Sequence, residues 1–487
     1  MKNFEGLEPA GIWNYFDEIL KIPRRSSKEE KIVEYLANFG RRHQLETITD
    51  EVGNVVIRKP ASKGLENRKS VCLQSHVDMV AEKNSNSGHD FDTDPILPLI
   101  DGEWVKAKET TLGADNGIGI ASQLAVLTDP KLQHGPIECL FTVEEELGLK
   151  GAFNLKPDFI RSNILINLDS EDEGEVFIGC AGGIDTTATI DYKTRSVPAD
   201  SVAFRIEVSG LKGGHSGDDI NKFRGNAIKI LNRFLWTVSR RMPLRIAGFE
   251  GGNLRNAIPR EAFTIVTTSR SKSQLFKDEF QKFCVAIKNE QSAHEPDLKL
   301  EIKPAVMPDH VIRKKYHRRM LNLLYGCPHG VKSMSKSIKD LVETSTNLAS
   351  VKFTEHHTYV VSTSQRSSVE SEMQNIVNTV RSIFELAKAK VENSGGYPGW
   401  EPDTNSEILG ITVNSYKKLF GNEPLVKAIH AGLECGLFLQ KYPGLDMISF
   451  GPTIRGAHSP DEKVEINSVK KYWDLLKEVL IKIPEQQ

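Results

Sequence analysis

The stretch CLQSHVDMV, residues 72–80, runs from an apolar segment into Ser75, His76, Val77 and Asp78. A short apolar run of this kind reads as a buried strand, and the polar residues mark where it emerges. Similar runs lie on both sides of it: NVVIRK (54–59), IECLFTV (137–143), ILINLD (164–169) and VFIGCAGG (176–183). Between two of them NGIGIASQLAVL (116–127) reads as a helix. Strands alternating with helices predict an α/β domain, with a mixed, mostly parallel sheet flanked by helices. In such sheets ligands bind beyond the carboxyl ends of the strands, which is where His76, Glu145 and Asp169 fall.

Ahead of these strands, SSKEEKIVEYLANFG (26–40) predicts a helix opened by a capping box of Ser27 and Glu30 and closed at Gly40. Near residue 186 the pattern changes. SVAFRIEV (201–208) alternates with period two, so Val202, Phe204, Ile206 and Val208 share a face, as in a half-buried antiparallel strand. A helical stretch (225–241) and the strand AFTIVTTS (262–269) follow. The turn-rich NSGGYPGWEP (393–402) reads as a boundary. Beyond it, a helix carrying HAGLECG (430–436), a strand DMISFGP (446–452) and a terminal helix (468–483) return to the first style. The expected organisation is a catalytic domain of residues 1–185 and 396–487, interrupted by an α+β domain of residues 186–395.

The chain has 487 residues, 63 Lys plus Arg and 65 Asp plus Glu, for a net charge of -2. That balance gives no support for nucleic-acid or membrane-surface binding. Six scattered cysteines with no C-x-x-C fit reduced thiols in a cytoplasmic protein. The N-terminal residues do not read as a signal peptide, and no run approaches the roughly 20 apolar residues of a membrane span.

Five stretches set metal-type ligands beside strand ends or tight turns: His76 and Asp78, Asp115 in LGADNGIG, Glu145 and Glu146 in TVEEELG, Asp169 in NLDSED, and His458 in GPTIRGAHSPDE. Two imidazoles and several carboxylates without a thiolate suit zinc, and also cobalt or manganese. Carboxylate-rich sites often hold two ions, which then share one carboxylate. Asp115 suits that role, because the glycines around it allow close backbone approach. Asp78, two residues after His76 on an extended segment, points the same way and can orient the imidazole. Of Glu145 and Glu146, one can ligate while the other activates the attacking water. His430 and Glu434, four apart on the expected helix, read as supporting groups.

H-x-D, G-A-D-N-G, E-E-x-G, N-x-D and a late A-H-S-P, in this order, resemble the cocatalytic di-zinc exopeptidases. GLKGGHSGDDI (210–220), GGNLRNAIP (251–259), STSQRSS (362–368), YPGWEP, HAGLECG and GPTIRGAHSPDE are similar to its aminoacyl-histidine dipeptidase (bacterial carnosinase) subfamily. The resemblance implies two divalent ions, zinc with cobalt or manganese as substitutes. One would be held by His76 and Asp169, the other by Glu146 and His458, with Asp115 bridging. It implies Glu145 as general base and then acid, Asp78 as the support of His76, and a cis Asp115–Asn116 peptide. The inserted domain would be a lid in which His215, Asn256 and Arg366 bind substrate, and Gly432, in HAGLECG, would offer backbone contacts. The implied reaction is hydrolysis of unblocked dipeptides, preferentially Xaa-His including β-alanyl-histidine (carnosine). The implied assembly is a homodimer. An N-acyl amino acid deacylase with the same centre and a noncatalytic peptide-binding relative are the alternatives. A metal phosphatase is disfavoured, since no Arg/Lys phosphate cradle accompanies the ligands.

Overall fold

The computed structural model describes residues 3–84, 86–217 and 219–486. Its backbone separates into two compact units. The first comprises Met1–Cys180, Trp400–Ala428 and Leu433–Gln487, and the second Ala181–Gly399 and Ile429–Gly432.

The first unit is built on an eight-stranded sheet. Its centre is parallel: Val71–His76 lies between Ile137–Thr142 and Ile164–Asn167, and the last pairs in parallel with Asp446–Ser449. These strands are largely apolar and buried because both faces are covered, with Leu73, Leu140, Phe141, Leu165 and Ile166 wholly buried. Burying one such side chain contributes about 1.5–3 kcal/mol. The Val55–Lys59 strand, which carries the NVVIRK run, joins antiparallel to the 137–142 strand and makes the sheet mixed. The helix Ala114–Thr128 is buried over most of its length and packs against the helix Ala10–Ile19, where Gly11 meets Ala125.

Two local expectations are corrected. The helix after Ser27 runs Glu30–Arg42 with no side-chain cap. Ser27 has a left-handed backbone (φ 66°) and its amide donates to the Glu29 carboxylate at 2.8 Å, so the capping box does not form and Gly40 lies inside the helix. The HAGLECG stretch is not one helix. The helix begins at Cys435, after an irregular segment that includes His430 and Gly432.

The second unit holds a nine-stranded sheet whose recorded pairings are all antiparallel. Phe204, Ile206 and Val208 of Ser201–Ser209 enter its core together with Ile228, Leu231 and Phe234 of the helix Ala227–Val238, and Val202 packs at the margin. Asn226 caps that helix by accepting from the Lys229 amide. The two long strands Val342–Phe353 and Thr358–Ser367 are apolar in one half and polar in the other. Thr344, Ser345, Thr363, Gln365 and Arg366 are all buried there.

Candidate metal centre

The carboxyl ends of the parallel strands deliver the first unit's candidate ligands. His76 is the last residue of its strand, Glu145 and Glu146 follow the 137–142 strand, Asp169 follows the 164–167 strand, and the loop after the 446–449 strand leads to His458. Asp115 enters from the start of the 114–128 helix. The Asp115–Asn116 peptide is cis.

The two oxygens of Asp115 face different imidazoles. Oδ1 lies 2.9 Å from His76 Nε2 and Oδ2 lies 3.5 Å from His458 Nε2. Asp169 joins the first side at 3.3 Å from His76 Nε2. Glu146 joins the second at 3.0 Å from His458 Nε2. The trios His76–Asp115–Asp169, Asp115–Glu146–His458 and His76–Glu145–Glu146 each bring their ligating atoms within 4.8 Å of one another.

The electrostatics shows what these groups lack. Burial pushes Glu145 well above the usual carboxylate range and lifts Asp169 to about 6. The Asp115 and Glu146 carboxylates drive His458 up to about 11. The clustered carboxylates, offset by two imidazoles and the buried Arg24 guanidinium, leave an excess of buried negative charge. Divalent cations would relieve it, and the oxygen and nitrogen donors suit them. The residues therefore fit a metal centre.

Asp78 does more than face His76. Its Oδ1 is 3.3 Å from His76 Nδ1, a bent approach, and accepts from the Glu145 amide at 3.0 Å. Oδ2 accepts from the Glu146 amide at 3.2 Å and from Ser26 Oγ at 2.8 Å. Burial opposes its ionisation, yet the facing His76 ring and the bonds from Ser26 and the Glu145 amide hold its pKa below the ordinary value. One wholly buried carboxylate thus aligns a histidine and the turn bearing both glutamates.

Sequence reasoning missed two further braces. Glu462 accepts the amides of Leu112, Gly113 and Ala114 at 2.7, 2.8 and 2.7 Å, and that of Asp115 at 3.3 Å. It fixes the turn that carries Asp115 to the loop that carries His458. Arg24, 2% exposed, donates to the carbonyls of Val77, Asp78 and Gly113. Gly113 has φ 70°, and a Cβ there would come within 2.5 Å of the Arg24 guanidinium. This glycine therefore makes room for Arg24. No spacing announces either brace: Glu462 merely ends the GPTIRGAHSPDE stretch, and Arg24 sits in a short loop.

Glu434 is another buried acid of this unit. Its Oε2 accepts from Gln74 Nε2 at 2.6 Å and Thr142 Oγ1 at 2.8 Å. It contacts the strands beneath the ligands and stands in none of the three trios.

In the second unit the expected substrate-binding residues gather around Arg366. Its Nη1 donates to the Tyr397 hydroxyl at 3.1 Å, and its Nη2 lies 3.5 Å from His215 Nε2. Arg366 is 7% exposed, its Nε has no partner, and no carboxylate pairs with it among the described residues. His215 pairs with Ala257 across a two-residue ladder, and the Ser216 amide donates to the Asn256 carbonyl at 2.8 Å. Asn256 is exposed. A Cβ on Gly432 would strike the Tyr397 ring at 2.6 Å, so this position requires glycine. His430 Nε2 meets Ser345 Oγ at 2.7 Å. Tyr397, which the sequence offers only within a boundary stretch and the YPGWEP resemblance, is thus a central contact. Asp218 of GLKGGHSGDDI lies outside the described residues.

The family model for peptidase family M20/M25/M40 matches residues 72–482. The chain belongs to the M20/M25/M40 peptidase family. It is a metal-dependent peptide hydrolase. It is 45% identical over 484 residues to the cytosol non-specific dipeptidase of Escherichia coli strain K12, covering 99% of this chain and 100% of that one. The structure of aminoacylhistidine dipeptidase from Vibrio alginolyticus superposes with a TM-score of 0.92 at 44% identity, covering 99% of each chain. The aminopeptidase PepT of Bacillus cereus ATCC 10987, at 17% identity and a TM-score of 0.57 over 98% of this chain and 99% of that one, shares the fold. No helix among the described residues is long and apolar enough to cross a membrane.

Proposed function

We propose that this M20 peptidase is a cytoplasmic dipeptidase that hydrolyses unblocked dipeptides, Xaa-His including β-alanyl-histidine among them, at a pair of divalent ions, zinc by preference. The observation that carries this reading is the division of Asp115 between His76 and His458, at 2.9 and 3.5 Å. Asp169 would complete the first ligand set and Glu146 the second, with Asp115 common to both. The names of the two relatives above, identical at 45% and 44%, support the dipeptide substrate. Six free, buried cysteines are in keeping with a reducing compartment.

When bound, the ions supply Lewis-acid polarisation of the peptide carbonyl and make the attacking water more acidic. Glu145 is the group that takes the water's proton and returns it to the departing amine. Its burial raises its proton affinity, which suits a base that must later act as an acid. Asp78 keeps the His76 ring and the Glu145 amide in register, so the base does not drift. Arg366, buried without a carboxylate, is the clamp for the dipeptide's terminal carboxylate, with Asn256 as a second group binding that end and Gly432 offering backbone contacts. His215 is the donor for the carbonyl oxygen as negative charge develops.

The test is hydrolysis of β-alanyl-histidine, Ala-His and a panel of N-acetyl amino acids by purified protein, with chelator and with zinc, cobalt or manganese restored. Cleavage of the dipeptides that stops with chelator and returns with metal is expected. Turnover of the N-acetyl compounds alone would replace the dipeptidase by a deacylase.

A further inference from the structure

A second concentration of charge lies in the second unit, where the end of the 227–238 helix meets the first turns of the helix Lys314–Gly326. A cavity of about 570 Å³ opens there, lined by Arg240, Arg241, Arg245, Lys314 and Arg318 and, among the described residues, by no Asp or Glu. Such crowding is unexpected in a chain whose net charge is -2. Glu279 offsets Arg241 from outside the cavity, at 2.6 Å. No carboxylate pairs with Lys314, Arg318, Arg240 or Arg245 among the described residues. The Arg240 guanidinium is held over the Trp236 ring at 3.7 Å, and its Nη2 donates to Asn322 Oδ1 at 3.3 Å.

Two side chains in the wall carry buried polar atoms without a partner among the described residues. His317 is 2% exposed, and neither of its ring nitrogens makes a hydrogen bond. Arg245 Nε is likewise buried and unpartnered, although its Nη1 donates to the Leu244 carbonyl at 2.9 Å. A buried donor left without a partner is destabilising. Residues serving only the fold would not accumulate such costs beside like charges.

We infer that this cavity binds a small multivalent phosphate, of di- or triphosphate size. Planar guanidinium groups match phosphate oxygens two at a time. Several cations without counter-charges call for a ligand carrying several negative charges. The cavity volume lies within the roughly 300–1,000 Å³ of small-molecule sites. Burial first, and then Arg245, Arg318 and Lys314, lower the His317 pKa to about 4. His317 is therefore neutral in the free protein and has an N–H to donate.

The test is calorimetric titration of the metal-loaded protein with tripolyphosphate and with ATP. Tripolyphosphate also chelates divalent ions, so a Lys314→Ala/Arg318→Ala protein is titrated in parallel to separate cavity from metal centre. The expected result is saturable one-to-one binding that weakens at least tenfold in the double variant, with an unchanged circular dichroism spectrum. ATP binding more tightly than tripolyphosphate identifies a nucleotide, and equal affinity identifies the phosphate chain alone; both support the site. His317→Leu supplies a second reading: it should raise the thermal midpoint of the free protein, by removing an unpartnered polar group, while weakening tripolyphosphate. Equal affinity in wild type and double variant would overturn the inference, as would absence of saturable binding. Tighter binding of a 20-base-pair RNA duplex than of tripolyphosphate would replace the small-ligand site by a nucleic-acid surface.

Discussion

Replacing Asp78 by Asn changes one oxygen to an NH₂ and leaves the shape of the side chain. Three hydrogen-bond donors and the His76 ring converge on this carboxylate: the Glu145 and Glu146 amides at 3.0 and 3.2 Å, Ser26 Oγ at 2.8 Å, and His76 Nδ1 at 3.3 Å. Asparagine keeps one acceptor. If its oxygen stays with Glu145 and His76, its NH₂ points at the Glu146 N–H, while the Ser26 hydroxyl can rotate and accept. The lost bond to a charged acceptor costs about 1.5–3 kcal/mol, and the retained ones fall toward neutral strength, about 0.5–1.5 kcal/mol each. The sum is roughly 2–4 kcal/mol in the metal-free protein at pH 7. The pH dependence has a definite sign. The folded pKa of Asp78 lies below its unfolded value, so its contribution is present above about pH 4 and is lost as pH falls through the folded pKa. The gap between Asp78→Asn and wild type should shrink from pH 7 toward pH 3. Guanidinium denaturation of both proteins at several pH values reads the stability, and competition with a chelating dye reads zinc affinity, expected to fall about 10–100-fold. Stability within about 0.5 kcal/mol of wild type, together with unchanged zinc affinity, would refute the idea that Asp78 aligns the centre.

Glu145→Gln keeps the volume of the side chain but cannot take a proton; turnover should fall by about 10²–10⁴ with zinc affinity retained, and full activity would remove Glu145 from the chemistry. Arg366→Lys exchanges a two-pronged fork for a point charge and should raise KM for dipeptides by about tenfold or more while changing kcat less; an equal effect on a dipeptide amide would show that Arg366 does not read the carboxylate. Glu434, wholly buried, is pushed up to about 8 chiefly by burial. Between its unfolded pKa and about 8 the native protein holds a proton that the unfolded chain has released, so stability falls as pH rises through that window. Metal-free Glu434→Gln should therefore gain on wild type between pH 5 and pH 8, by an amount on the order of 4 kcal/mol at most; parallel thermal midpoints at the two pH values would contradict it.

The parallel core of the first unit was legible because its strands are apolar on both faces, and the candidate ligands because each follows such a strand or a glycine turn. What stayed hidden depends on contacts distant in sequence. Arg24 reaches carbonyls 53 to 89 residues away and Glu462 reaches amides about 350 residues away, and no local period encodes such partners. The capping box at Ser27 failed because the nearer Glu29 carboxylate captured the Ser27 amide. The helix drawn through HAGLECG failed because Gly432 is pressed against Tyr397 and His430 is tied to Ser345. In both places a tertiary contact overrode a sound local pattern.

The central claim is that two ions share Asp115. Anomalous diffraction at the zinc edge from crystals of the zinc-loaded protein tests it most directly. Two peaks about 3.5–4 Å apart, one beside His76 and Asp169 and the other beside Glu146 and His458, are predicted. A single peak at full zinc occupancy, or two peaks with Asp115 touching only one of them, would contradict the account.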